Sequence, residues 1–187
     1  VLANVIAFLS LLATLLAGLA HPFGWAVHKE THILLGIFAT VLVLFAHSTT
    51  IFYFIGTGSY IKKLFHEEAV DQSLWDRTRA FKKRLFPWIL CGMATIGATF
   101  ILGGAVDTGH VSSLVHLGMA LVAVAVNYAA IKQEIPLLAE NIRVMRAAEA
   151  SPGSPGEVGC GAENEILRPA ASYAVSVWLP RASITFV

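Results

Sequence analysis

The chain has 187 residues, of which 56% are hydrophobic and only 13% are charged. Soluble domains carry about 25% charged residues, so this composition excludes an ordinary soluble globular protein and favours extensive contact with lipid. The formal net charge of +1 gives no electrostatic basis for holding a polyanion, and we expect no nucleic-acid partner.

Four long apolar stretches follow one another along the chain, and each is long enough to cross a bilayer. A hydrocarbon core about 30 Å thick needs roughly 20 helical residues. The predicted spans are residues 2–20, 32–56, 86–106 and 111–131. No basic residue precedes the first stretch, so we predict a retained helix there rather than a secretory signal peptide. The sequence therefore predicts an all-α integral membrane protein whose residues 1–150 form a bundle of four transmembrane helices, arranged as two helical hairpins.

Basic residues are concentrated on one side of the predicted spans. Seven of the thirteen Lys and Arg lie in the linker 57–85, three more follow the fourth span, and the two short turns together hold only Lys29. By the positive-inside rule, the linker and both termini face the cytoplasm (N-in/C-in), as expected for a multi-pass protein of the bacterial inner membrane. Because the linker interleaves basic with apolar residues, it forms either amphipathic helices in the interface plane or a solvated loop that packs on a partner subunit.

Two further features concern the ends of the helices. Pro87 is predicted to lie near the start of the third helix, where a missing N–H costs little. After the fourth span, helical spacing of apolar residues predicts that the helix continues over 132–150 and leaves the membrane. Residues 151–187, which begin with a Ser/Pro/Gly-rich stretch, are predicted to form a flexible linker and tail.

Six of the seven histidines lie within or beside the predicted spans, where polar groups are expensive and often functional. His32 and His116 each fall in the opening turns of a span, and these two spans run in the same direction. If Ser112 or Ser113 caps the fourth helix, His116 lies about one turn in. Two parallel helices of a bundle can present imidazoles to opposite faces of one iron. We therefore predict a haem b held between His32 and His116, near the outer face.

His47 is a third candidate for cofactor binding. It follows His32 by fifteen residues, which at 100° per residue leaves the two side chains about 60° apart on one helix face. A second haem would need another histidine opposite His47, and the fourth helix offers Asn127 instead. The sequence therefore supports one haem at most. The alternative is that His47 hydrogen-bonds across helices, for instance to Asn127, and serves packing.

A different prediction places a zinc or copper ion in the outer turns. His28 and His32 are spaced i and i+4 and would share a helix face, and His110 is the third candidate ligand. His21, Glu30 and Asp107 are further residues that would complete the shell. The corresponding alternative function is an outer-facing metal-binding protein in metal handling or assembly.

The chain has no catalytic constellation of its own, which leaves enzymatic activity undecided. Phosphate loops, dinucleotide fingerprints and an intramembrane carboxylate are all missing from the predicted spans. We predict a small integral subunit of a larger bioenergetic complex, respiratory or photosynthetic, whose partners are the lipid bilayer, other membrane subunits and a quinone or pigment. The arrangement of four spans with outer histidines is similar to that of b-type cytochrome membrane anchors of respiratory dehydrogenases, although no motif specific to that group is present.

Overall fold

Four α-helices make up the protein in this computed structural model, which describes residues 2–20, 28–67 and 70–151. They are α1 (Leu2–Ala20), α2 (Lys29–His66), α3 (Gln72–Asp107) and α4 (Ser113–Glu149). These ranges contain no strand, which confirms the all-α prediction.

All four helices are long and apolar enough to cross a membrane. In the most apolar 18-residue window of each helix, only 17–28% of the residues are buried inside the protein, so most of that apolar surface faces outward. Large side chains such as Leu34, Phe45 and Ile101 are 65–71% exposed. A surface of this kind is compatible with lipid and not with water. The chain is therefore a multi-pass membrane protein by length and composition.

Residues 57–85, which were predicted to form a linker between spans, are mostly helical in the structure. α2 continues through the first ten of these residues to His66, and α3 begins at Gln72, so most of the predicted linker belongs to the two long helices. Pro87 consequently lies well inside α3, and the prediction that it starts a helix is wrong. The helix begins earlier because Thr78, Phe81 and Leu85 are buried, and this packing stabilises the turns before the proline.

The fourth helix extends far beyond its apolar part. α4 reaches Glu149 and contains Pro136, which confirms the prediction that helical structure continues to about residue 150. The predicted flexible tail lies outside the described residues apart from Ser151.

The chain divides into two compact units, to both of which α2, α3 and α4 contribute. The first comprises Val1–Ile51 and Phe81–Ala139, as far as these residues are described. Its core is formed mainly by small and β-branched side chains from all four helices: Ala7, Leu11, Val43, Ala46, Ile96 and Ala123. Small residues let helix backbones approach closely, which is the main source of helix association in lipid.

The second unit comprises Phe52–Ala80 and Glu140–Val187, again as far as they are described. Phe54, Ile61 and Val144 are fully buried in it. The Asn141 amide donates to the Thr57 hydroxyl at 3.1 Å. On its surface Glu140 forms ion pairs with Arg77 and Arg143.

A tight turn joins α3 to α4 and fixes where α4 begins. Gly109 has a φ of +76°, a conformation that glycine adopts without strain. The His110 N–H donates to the Ala105 carbonyl and the Gly109 N–H to the Val106 carbonyl, which is the Schellman arrangement at a helix end. The Ser112 hydroxyl then accepts from the Leu114 N–H. This cap places His116 one turn into α4, as predicted.

Candidate functional site

The His32 imidazole is held at a fixed place by two features of α1. Its Nδ1 donates to the Thr14 carbonyl oxygen at 3.2 Å. Gly18 lies directly beside the ring, since a Cβ at this position would stand 2.8 Å from His32 Cε1, closer than carbon atoms can pack. A hydrogen bond at Nδ1 fixes the tautomer and leaves the Nε2 lone pair for a metal.

The His116 imidazole has a corresponding environment on α3. A Cβ at Gly103 would stand 3.2 Å from His116 Cε1, and the backbone of Thr99, one turn earlier, faces the ring. Thr14 and Gly18 have the same four-residue spacing as Thr99 and Gly103. His116 Nδ1 is buried and has no hydrogen-bond partner among the described residues. Each histidine therefore meets a Thr-x-x-x-Gly segment of a different helix.

The two imidazoles lie close to each other. Their ring centroids are 6.3 Å apart, and the ring planes are inclined at 80°. A metal bonded to one nitrogen of each ring at about 2.0–2.1 Å leaves the centroids roughly 6 Å apart. The observed separation of the centroids is compatible with a single metal ion between the rings.

The rings lie in a cavity of about 740 Å³, called here the His32–His116 cavity, which is lined by all four helices. This volume falls within the 300–1,000 Å³ that is typical of cofactor sites. Most of the lining is apolar, and four glycines contribute to it: Gly18, Gly36, Gly103 and Gly104. Without side chains at these positions, a flat group can approach the helix backbones closely.

Charged and polar side chains of the helix ends also line this cavity. His28 and Lys29 of α2 and Asp107 of α3 are among the lining residues, and Lys29 forms an ion pair with Asp107. The cavity thus combines an apolar body, two neighbouring imidazoles and a charged group where α2 begins.

His47 lies in a different environment from His32. It is 3% exposed, and its Nε2 is bonded to Asn127 Oδ1 at 2.9 Å. Gly92 makes room for the pair, because a Cβ there would stand 3.1 Å from both of these atoms. This is the hydrogen bond across helices that the sequence offers as the alternative to cofactor binding. The structure does not bring a second imidazole to His47 among the described residues.

The predicted zinc or copper ligands do not form a cluster. His28 and His110 are exposed, and His110 Nδ1 is bonded to the Thr108 hydroxyl at 2.9 Å. Within residues 2–20, 28–67 and 70–151, no group of three or more His, Cys, Asp or Glu side chains is placed to hold a metal ion. His21 lies outside the described residues.

Sequence reasoning missed a buried carboxyl group. Glu134 is 1% exposed and accepts hydrogen bonds from Asn4 of α1 and Thr50 of α2. The apolar pattern places it outside the fourth span, three residues past Ile131, yet α4 continues unbroken through it. Asn4 and Thr50, two polar residues inside apolar stretches, are the signal that points to it. His47, Asn127, Asn4, Thr50 and Glu134 are called here the buried polar cluster.

Comparisons with protein-family models, with curated proteins and with solved structures gave no match.

Proposed function

We propose that this chain holds one haem b between His32 and His116 and serves as an electron-transferring subunit of a larger membrane complex. The observation that carries the proposal is the pair of neighbouring imidazoles at 6.3 Å. Each ring packs closely against a glycine of another helix, and both rings line one cavity of cofactor size.

Three features of the site favour a haem over a bare metal ion. The described residues bring two imidazoles together and supply no third group to complete a shell. The cavity is much larger than one ion needs. Its walls are mainly apolar and include four glycines. These are the properties that a porphyrin ring requires of a helical bundle.

The coordination favours electron transfer. A haem iron bound by two histidines has no open position for a substrate, so its chemistry is the gain and loss of one electron. The protein's part is to hold both imidazoles in place and to keep water from the apolar cavity. Because the chain shows no catalytic constellation, donor and acceptor would be other subunits, or a quinone or pigment.

The charged end of the cavity suits the haem carboxylates. His28 and Lys29 line it where α2 begins, and a propionate can pair with the Lys29 ammonium, which Asp107 holds in place. Hydrogen bonds between ionised partners are about twice as strong as neutral ones. These residues would orient the macrocycle within its plane.

The distribution of basic residues supports an orientation for the bundle. Seven Lys and Arg between the second and third spans and three after the fourth favour both termini on the cytoplasmic side, with the spans paired as two hairpins. His32 and His116 then lie at the outer side of a bacterial inner membrane, and the basic ends of α2 and α3 are available to cytoplasmic partners.

A visible spectrum of the purified protein tests the proposal. The chain is produced in haem-replete cells, extracted in mild detergent and assayed for haem by pyridine haemochrome. We expect about one haem per chain, with a reduced-minus-oxidised Soret and α-band typical of b-type haem. His32→Ala and His116→Ala should each abolish the bands, since either removes one axial ligand. His110→Ala, which alters an exposed histidine outside the cavity, is the matched control.

The alternatives give different results. A colourless preparation with stoichiometric zinc or copper would replace the proposal with a metal-handling role. A well-folded, haem-free protein that co-purifies with other subunits would reduce it to a structural component.

A further inference from the structure

Glu134 is buried in the first unit without a charged partner. Asn4 Nδ2 and the Thr50 hydroxyl both donate to its Oε1, and Asn4 Nδ2 also donates to the Thr50 hydroxyl oxygen at 3.3 Å. Among the described residues, Glu134 is the only Asp or Glu in the buried class. Its other oxygen, Oε2, is buried and has no hydrogen-bond partner.

Among the described residues, no ionisable side chain on the surrounding helices forms an ion pair with Glu134. α1 carries none between Leu2 and Ala20. On α4, the Lys132 ammonium lies over the Tyr128 ring, and on α3, Arg84 donates to Gln133. On α2, the two ionisable residues nearest to Thr50 along the helix are His47 and Tyr53. His47 is bonded to Asn127, and the Tyr53 ring packs against Phe54. An isolated buried carboxylate is so costly that such a group is neutralised instead.

The pattern of filled and empty hydrogen-bond positions indicates where the proton lies. Asn4 Oδ1 is also buried without a partner, like Glu134 Oε2. A carboxylic acid and a primary amide pair through two hydrogen bonds, N–H to C=O and O–H to C=O. The first of these is present between Asn4 and Glu134. A hydrogen on Oε2 would supply the donor that the second bond needs, whereas an ionised carboxylate leaves both of these buried acceptors without one.

We infer that Glu134 is a proton-binding site of the bundle, a carboxylic acid that shares its proton with Asn4. The inference is independent of the haem proposal, because it concerns different residues and requires no cofactor.

Polar side chains and a small cavity adjoin the Asn4–Glu134 pair. Glu134 lies next to Lys132 and Gln133, where α4 leaves its apolar segment and polar side chains resume. Asn4 also lines a cavity of about 10 Å³ together with His47 and Asn127, close to the volume that one water needs. His47 Nδ1 is buried there without a partner. We therefore expect Glu134 to exchange its proton with the aqueous phase, which a shift of its carboxyl band in D₂O would report.

Infrared spectroscopy of the full chain in lipid vesicles at pH 7 tests this inference. Exposed carboxyl groups are ionised at this pH, so a protonated-carboxyl C=O band reports a buried acid. We expect such a band in the wild type, shifted after equilibration in D₂O, and lost in Glu134→Gln. The amide of this variant can form the same two hydrogen bonds with Asn4, so we expect it to fold. Glu140→Gln, which alters an ion-paired surface carboxylate, should leave the band unchanged.

Each outcome decides the question, and the wild-type spectrum does so even if the variant fails to fold. A wild-type spectrum without the acid band shows that Glu134 is ionised and overturns the inference. A band that persists in folded Glu134→Gln also overturns the inference. A wild-type band that does not shift in D₂O overturns it as well. The presence or absence of haem bears on none of these results.

Discussion

His32 and His47 are the same residue type on the same face of α2, yet their surroundings are opposite. His32 opens onto a cavity of about 740 Å³ and lies close to a second imidazole. His47 is bonded to Asn127 beside a cavity of about 10 Å³. Both rings lie against a glycine of another helix, Gly18 or Gly92. A close-packed glycine therefore accompanies both arrangements and does not by itself indicate a cofactor.

The difference indicates that free volume, and not the presence of histidine, decides where a ligand can bind. In the buried polar cluster, most polar atoms are satisfied by one another across helices, which stabilises a bundle in lipid. The His32–His116 cavity instead encloses about 740 Å³ of space between mainly apolar side chains and four glycines. The predictions below test this distinction.

The largest effect is expected from Gly18→Ala. The new methyl group would stand 2.8 Å from His32 Cε1, so the ring must move away from its position beside His116. Overpacking of this kind costs about 1–3 kcal/mol, which corresponds to roughly a 5- to 150-fold loss in haem affinity. Haem titration of the apoprotein, followed at the Soret band, measures it.

Two glycines of α3 supply the controls for this variant. Gly103→Ala should weaken binding less, because its methyl group would stand 3.2 Å from His116 Cε1. Gly97→Ala adds a methyl group with nothing within 4 Å at a position outside the cavity lining, and should bind haem as the wild type does. Equal affinities for Gly18→Ala and Gly97→Ala would contradict the assignment of His32 as a ligand.

A smaller effect, on stability alone, is expected from Gly92→Ala. Its methyl group would stand 3.1 Å from both His47 Nε2 and Asn127 Oδ1, so the hydrogen bond between them must lengthen. We expect a loss of about 0.6–2 kcal/mol, seen as a lower Tm in detergent, with the haem content unchanged. Gly97→Ala, on the same helix with nothing within 4 Å, should be neutral or slightly stabilising. Loss of haem from Gly92→Ala would show that the two regions are not independent.

The sequence was sufficient to predict the four helices, because length and apolarity decide whether a segment crosses a bilayer. It was also sufficient to predict that His116 lies one turn into α4, since Ser112 is a recognisable cap. The ends of the helices were predicted less well. Hydropathy detects a helix only while its side chains are apolar. The prediction therefore missed that α2 continues to His66 and that Pro87 lies inside α3.

The environments of individual polar residues could not be predicted from the sequence, because they depend on how the helices pack. The roles of Gly18 and Gly103 depend on the rotation of one helix against another, which no local pattern encodes. Glu134 was overlooked because it lies past the apolar segment, although α1 and α2 bury it with Asn4 and Thr50. For His47 two hypotheses were left open, and only the distance to Asn127 distinguishes the hydrogen-bonded arrangement.

The variant Asn127→His is expected to leave the haem content unchanged. Asn127→His places a histidine opposite His47, the residue type that sequence reasoning required for a second haem. If residue type were decisive, this chain would bind about two haems by the bundle pattern. We expect about one, because the space beside His47 is only about 10 Å³. In a chain that carries both His32→Ala and Asn127→His, the expected content is therefore none, measured by pyridine haemochrome. Haem in that double variant would show that helices of this bundle separate readily to admit a cofactor. The His32–His116 cavity would then no longer support the proposal that haem binds there.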